Sequence, residues 1–529
     1  MLSNAFDSSL SRLFEEAATG ALFLFSGNTL ATFLSALCGI LIARLLGPDL
    51  YGAYSLAFVP QSFLTLFTGL GVNYALTRYI AYYNERGDRQ RVASLVRTGL
   101  LFATLESIIV YMLSLLLVEN LTVMFINRSG LIDLVKIALP IVVLQSLFNV
   151  ANSILLGFGD TKGCALTSVV LQSFRLIMAP VLVVLGLSVA GALAGNVIAY
   201  AVGVATSLLL VHNKQPNVGV SRSSNKYTHM STISLMLSYG LALYVASVIT
   251  ASLDTLRGVI LAYTVSDYVI GNFNVALRFT SLITLILGPI TSVLFPAFSK
   301  LGDNPGELKS MLRYSTKYSS LLVIPTSVLV SSMSQDIVSV LLGPEYMLAS
   351  RYLSLLATNY LYIGLGYTIL GSLFSGVGLP GVNFKATVIQ AAVFAPLSLV
   401  LTRLLGVEGL IASMLVATGA STIYSLRVVG KRYSARLDLK STGSIYLAST
   451  LSAIPVILLT LYVHAPSLIR LFAGSLMYLF AYLTLLPLLK AINSEDVQIL
   501  ASIFTKIALI RPVVAVMVSY EEKILALLR

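Results

Sequence analysis

Two arginines set the chemical question in this sequence. Arg175 falls near the middle of one long apolar run and Arg278 well inside another. A charge at that depth costs roughly 2.5–3.5 kcal/mol on insertion scales, so each needs a reason. A guanidinium stays charged when desolvated and donates two parallel hydrogen bonds, the geometry that suits phosphate. The chemistry on offer is electrostatic capture of an anionic head group within the membrane, in a central cavity between two halves of the chain. Arg257 and Lys136 complete the candidate cavity cations, although Lys136 lies near the expected outer interface, where anchoring is its main role. Glu106 and Asp254 are the intramembrane acids, available for coupling to Na+ or H+ or for ion pairing. Glu106 with Arg175 is one such pair; Asp254 and Arg257, three positions apart on one helical face, are another. Gln145, Asn149 and Asn152 recur near i, i+4 and i+7 and serve either as polar cavity lining or as hydrogen bonds between helices.

Other chemistries find little support. The two cysteines, Cys38 and Cys164, sit in or beside apolar runs, and the three histidines lie at segment edges or in loops. No metal constellation, disulfide framework or cofactor motif can be assembled from them. The loop Gly157–Gly163 (GFGDTKG) lacks the spacing of a phosphate-binding P-loop and follows no strand, so a nucleotide site is rejected. A membrane glycosyltransferase, polymerase or ligase would need an acidic metal site or a sizeable outer loop, and the sequence offers neither. The reading is a transporter and not an enzyme.

These side chains need elements to hold them, and composition says which. Of 529 residues, 57% are hydrophobic and 11% charged, with a mean hydropathy of +0.89. Soluble domains carry roughly a quarter charged residues. A spanning helix needs about 20 apolar residues, and such runs follow one another nearly end to end. The expected fold is an all-α polytopic membrane protein of fourteen transmembrane helices. Helix 2 is expected over about 52–78, helix 3 (Glu106) over about 94–118, helix 4 over about 132–156 and helix 5 (Arg175) over about 163–185. Helix 7 follows at about 232–261, helix 8 (Arg278) at about 268–297, and helices 9 and 10 at about 314–341 and 347–374.

The net charge of +12 reflects basic loops and not a nucleic-acid partner. Arg86, Arg89 and Arg91, then Lys214, Arg222 and Lys226, then Lys300, Lys309 and Arg313, then Lys431, Arg432, Arg436 and Lys440 fall in alternate loops. By the positive-inside rule both termini are cytoplasmic, in a multi-pass protein of the plasma membrane. The glycosylation sequons at Asn120 and Asn127 fall in the loop this topology places outside. The first 19 residues lack the basic start and cleavage-like site of a signal peptide.

The stretch Ala43–Tyr54 (ARLLGPDLYGAY) ends one apolar run, turns through Gly47-Pro48 and launches the next. Its echo, Asp267–Phe273 (DYVIGNF), lies 219 positions on and aligns Gly271 with Gly52; Gly157 and Gly159 meet Gly376 and Gly378 at the same offset. Helices 1–6 and 7–12 are therefore read as parallel six-helix repeats with an extra pair behind them. The division is a cytoplasmic segment 1–19, an N-lobe 20–215, a C-lobe 216–435, helices 13–14 in 436–490, and a cytoplasmic or interfacial tail 491–529. In that tail Val497, Leu500, Ala501, Phe504 and Ala508 form an apolar stripe, broken before Arg511-Pro512.

The motif Ala43–Ala57, followed by Gly69–Ala81 (GLGVNYALTRYIA) and a charged loop, resembles the polysaccharide flippases. These are the lipid-linked oligosaccharide transporters of the multidrug/oligosaccharidyl-lipid/polysaccharide exporter superfamily. The resemblance implies two six-helix lobes about a cationic cavity working by alternating access. It also implies a polyprenyl- or dolichyl-(pyro)phosphate glycan as cargo, moved from the inner to the outer leaflet for surface polysaccharide or glycoprotein glycan synthesis. Peptidoglycan-precursor flippases of the superfamily carry arginines within helix 1; in the helix 1 expected here, over about 20–45, none precedes Arg44, which argues against that cargo. A cation-coupled multidrug exporter of the same fold is the alternative, and would favour acidic residues in its cavity.

Overall fold

The computed structural model describes residues 2–214, 229–301, 304–434, 437–504 and 511–527. Arg222, Lys226, Arg436 and Ala508, and the expected lobe boundaries at 215–216 and 435–436, lie outside the described residues. No strand occurs among the described residues. Chain contacts gather the molecule into two compact units, Met1–Gly288 with Ala391–Leu410 and Pro289–Gln390 with Ile411–Arg529.

Helix α1 (Leu2–Thr65) breaks at Gly47, whose φ of 73° and ψ of 170° are open to glycine alone among common residues. Pro48 then starts the next helical stretch, where its missing N–H is harmless. The uninterrupted helix expected over 52–78 is not what forms. The chain breaks between Thr65 and α2 (Val72–Glu85) because Gly69, Leu70 and Gly71 all take positive φ. Next come α3 (Arg89–Leu116), α4 (Val118–Ile126), α5 (Ile132–Ala138), α6 (Pro140–Gly157), α7 (Thr161–Leu182) and α8 (Ser188–Lys214). Asp88 and Asp160 start α3 and α7 by accepting the backbone N–H groups of Arg91 and Gly163. Helix α9 (His229–Thr264) and most of α10 (Asp267–Leu301) complete the first unit with the 391–410 segment.

Helices α11 (Pro305–Ser332) and α12 (Ser334–Leu341) bend by 70° at Met333, where one straight span was expected over 314–341. Helices α13 (Met347–Ala357) and α14 (Ile369–Gly376) belong to a second bent pair, at 45°. The chain then runs through α15 (Pro380–Leu405), α16 (Val407–Tyr433), α17 (Leu439–Tyr462), α18 (Ser467–Leu488), α19 (Ser494–Phe504) and α20 (Arg511–Leu527).

Nine helices among the described residues are long and apolar enough to cross a membrane, eleven if each bent pair is one span. Phe23–Thr65 and Thr161–Lys214, at 43 and 54 residues, each contain a break at a positive-φ glycine (Gly47 and Gly186) and are long enough for two crossings. The chain is an all-α polytopic membrane protein, and fourteen crossings are consistent with this layout.

In the first unit α7 packs along both α1 and α8, and α6 bridges α2, α3 and α8. Small residues permit the approach: Gly195 of α8 lies directly on Ala179 of α7, and Gly27 of α1 on Ala165. Leu76, Ile80, Val92, Leu95 and Ile154 form the fully buried centre of this packing.

Candidate functional site

Arg175, Arg257 and Arg278 line one cavity of about 470 Å3 inside the first unit, and among the described residues no aspartate or glutamate shares its lining. Each guanidinium is held from a different helix, α7, α9 and α10. Arg175 Nη2 donates to Tyr54 Oη at 3.4 Å, and Asn196 Nδ2 donates to the same oxygen at 3.0 Å. The buried Arg175 Nε has no hydrogen-bond partner among the described residues. Gly39 of α1 makes room for Arg278, since a Cβ there would stand 3.2 Å from its Cδ. Tyr51, fully buried, sits within hydrogen-bonding reach of the same arginine. Neither Arg175 nor Arg278 forms an ion pair with a carboxylate among the described residues. Arg257 does, with Asp254 at 3.0 Å, and its side chain remains 24% exposed.

A second cavity of about 380 Å3 adjoins the first, sharing Ser62 and Gln145. Its polar lining is hydroxyl and amide in character, from Thr65, Thr68, Asn73, Asn149, Tyr244 and Ser247, with Asp254 its one acid among the described residues. Gln145 Oε1 accepts from Gln61 Nε2 at 3.2 Å across the junction of the two.

The remaining candidates go elsewhere. Lys136 lines neither cavity; it pairs with Asp133 one helical turn away at 3.1 Å and is half exposed. Asn152 ties α6 to α7, donating to Phe148 O at 2.9 Å and accepting from Thr167 Oγ1 at 2.7 Å, so it is structural and not cavity lining. Glu106 does not meet Arg175. Its Oε2 accepts from Gly69 N at 3.0 Å at the α1–α2 break, and its buried Oε1 has no partner among the described residues. Tyr51, Tyr54, Gln61, Asn196 and Tyr200 line the arginine cavity without having been singled out. Asn196, a lone amide in an apolar helix, was open to the reasoning applied to Asn149; the tyrosines read as ordinary core.

One end of the arginine cavity lies beside the Gly47–Pro48 turn. There Gly52 packs against Asp267 O and Gly271 against Pro48 O, so closely that neither position has room for a Cβ. The echoed glycines thus face each other across α1 and α10. Arg128 fastens the same end, with Nε 3.3 Å from Asp267 Oδ1 and Nη2 donating to Val265 O at 3.2 Å. Tyr263 Oη adds a bond to Met124 O at 2.8 Å.

The fold is thus that of a helical membrane protein, and its first unit encloses a cavity of about 470 Å3 into which three guanidiniums project. The family described as "Polysaccharide biosynthesis protein" matches residues 41–351, more than half of the chain, and the chain belongs to that family. Over 306 residues it is 24% identical to the probable low-salt glycan biosynthesis flippase Agl15 of Haloferax volcanii. That alignment covers 57% of this chain and 61% of the relative, so less than two thirds of the relative's length is matched. Among solved structures, the lipid II flippase MurJ in its inward closed conformation superposes with a TM-score of 0.71 at 16% identity, over 87% of this chain and 97% of MurJ. An inward-facing multidrug resistance MATE family transporter gives 0.64 at 16%, over 76% and 94%. At these identities the likeness is one of fold, and that fold serves both a lipid flippase and a drug transporter.

Proposed function

We propose that the chain is a secondary transporter that moves a polyprenyl- or dolichyl-(pyro)phosphate-linked oligosaccharide from the inner to the outer leaflet by alternating access. The observation that carries this reading is the cavity holding Arg175, Arg257 and Arg278 with no acid in its lining among the described residues. An isolated guanidinium in such a place is costly unless an anion visits it. The phosphate groups meet Arg175 and Arg278, whose forks are free of carboxylates, and the sugar hydroxyls meet the neutral amides and hydroxyls of the adjoining chamber, Asn149 and Gln145 among them. The prenyl chain stays in lipid.

In this reading helices 1–6 and 7–12 act as the two moving lobes and the termini face the cytoplasm of a plasma-membrane protein. Glu106, with its unpartnered carboxylate oxygen, and Asp254 are the acids available to an H+ or Na+ that drives the cycle. A cavity of this charge repels cationic drugs, which separates the reading from a multidrug exporter of the same fold.

The test is translocation of a fluorescent prenyl-pyrophosphate glycan by proteoliposomes. A hydrogen bond to a charged group contributes about 1.5–3 kcal/mol. Arg175→Ala and Arg278→Ala should each slow flipping by about tenfold or more, with protein levels unchanged. Normal flipping by both variants would end the proposal.

A further inference from the structure

The second unit contains a larger cavity, about 500 Å3, that has no part in the arginine site. Its walls are α11, through Leu321 and Pro325, α18, through Tyr478 and Tyr482, and one face of α20. Val514, Met517, Val518 and Glu521 line it at i, i+3, i+4 and i+7, a single helical stripe. The pattern calls for an apolar residue at its fourth position and supplies a carboxylate. Glu521 is 4% exposed, and neither carboxylate oxygen meets a hydrogen-bond donor among the described residues. The nearby phenols are committed elsewhere, Tyr478 Oη donating to Ser449 O at 3.2 Å and Tyr482 Oη to Leu321 O at 3.0 Å. Packing does not dictate the carboxylate either, because α20 is fastened to α18 by its neighbour Tyr520, whose ring packs at a tilt against Phe480 and whose hydroxyl shares a hydrogen bond with Thr484.

A buried polar group without a partner is unfavourable by several kilocalories unless something completes it. Small-molecule sites are usually apolar pockets of about 300–1,000 Å3 with a few polar groups, and Glu521 is the one carboxylic or basic side chain in this wall among the described residues. We propose that this pocket binds a drug-sized hydrophobic amine, its apolar body among Leu321, Pro325 and Val518 and its ammonium met by Glu521, whose carboxylate is covered in this structure and turns towards the pocket as the amine enters. An ammonium supplies both things the carboxylate lacks, a counter-charge and hydrogen-bond donors. A neutral ligand of the same shape fills the volume and leaves the carboxylate unsatisfied, so selectivity for the charged head is the signature of the site. The proposal stands independently of the cargo assigned to the arginine cavity.

The experiment uses the full chain in phosphatidylcholine nanodiscs and radiolabelled 4-phenylbutylamine, with 4-phenylbutanol as the neutral match and empty nanodiscs as background. Saturable amine binding at least tenfold tighter than alcohol binding is expected, lost in Glu521→Gln and in the pocket-filling Val518→Trp. Equal affinity for amine and alcohol overturns the proposal, and that comparison needs only the unaltered chain. Unchanged amine binding by a folded Glu521→Gln overturns it too. Including phosphatidylethanolamine in the nanodiscs should leave amine binding intact; full competition would assign the pocket to that lipid and overturn the free amine as occupant.

Discussion

At Tyr54 two donors converge on one phenolic oxygen, Arg175 Nη2 at 3.4 Å and Asn196 Nδ2 at 3.0 Å. The hydroxyl therefore aims a guanidinium and satisfies a fully buried amide at once. Tyr54→Phe keeps the ring, which stacks edge-on against Phe58 at 5.1 Å, and removes only the acceptor. Leaving buried donors unpaired costs about 1–3 kcal/mol, so the variant should melt at lower temperature than the parent in detergent. It should also flip the proposed cargo more slowly than the parent does, because Arg175 then loses the hydroxyl that aims it. A melting point equal to the parent's would mean that Asn196 is satisfied by its second bond, to Ala192 O at 2.7 Å, and that Tyr54 positions nothing. The arginines of this site were legible in the sequence because a charge inside an apolar run violates the run. Tyr54 was not, because an aromatic residue obeys it. The pairing of Lys136 was legible as well, since Asp133 stands three positions before it, the same spacing that marks Asp254 and Arg257.

Among the elements, α1 and α10 meet through Gly52 and Gly271, each with a backbone carbonyl of the other segment where its Cβ would be. The 219-residue offset found this pair, since an echo of glycines marks positions where backbones approach and nothing larger fits. The same end is tied by Arg128 to Asp267, but that bridge is about a third exposed on both sides, and such pairs contribute only about 0–1 kcal/mol. The contact, not the charge, should therefore govern closure of the cavity. Gly52→Ala must push the two segments apart, whereas Arg128→Ala leaves them touching. Thiol labelling of Ser55→Cys, which lines the arginine cavity, is the readout. Labelling by a membrane-impermeant reagent should rise several-fold with Gly52→Ala and by less than twofold with Arg128→Ala. The opposite order would make the ion pair the latch. Other features of the elements were hidden from the sequence. Apolar periodicity carries no φ angle, so the break at Gly69–Gly71 and the 70° bend between α11 and α12 both read as continuous helix.

For the whole molecule, the sequence repeat and the chain contacts divide the protein differently. The repeat separates helices 1–6 from 7–12, while contacts place α9 and most of α10 with the first eight helices. A repeat reports how the chain is built and contacts report what is packed in one state, so each can hold without the other. The distribution of charge is the more decisive whole-molecule property. Of the charges that make up the net +12, the three arginines of the cavity are the ones a cargo would meet in confinement. Exposed charges separated by more than a Debye length, about 3 Å at 1 M salt, are silenced, and enclosed ones much less so. If recognition resides in the cavity, proteoliposomes should flip a dolichyl-pyrophosphate glycan at least tenfold faster than the matching neutral dolichyl glycoside, and 1 M KCl should preserve most of that ratio. The Arg175→Gln, Arg278→Gln double variant should bring the phosphorylated cargo down towards the neutral one, since it removes both guanidiniums free of carboxylates. A preference that collapses in high salt while the double variant retains it would place recognition on the basic loops, and the interior arginines would then be serving packing alone.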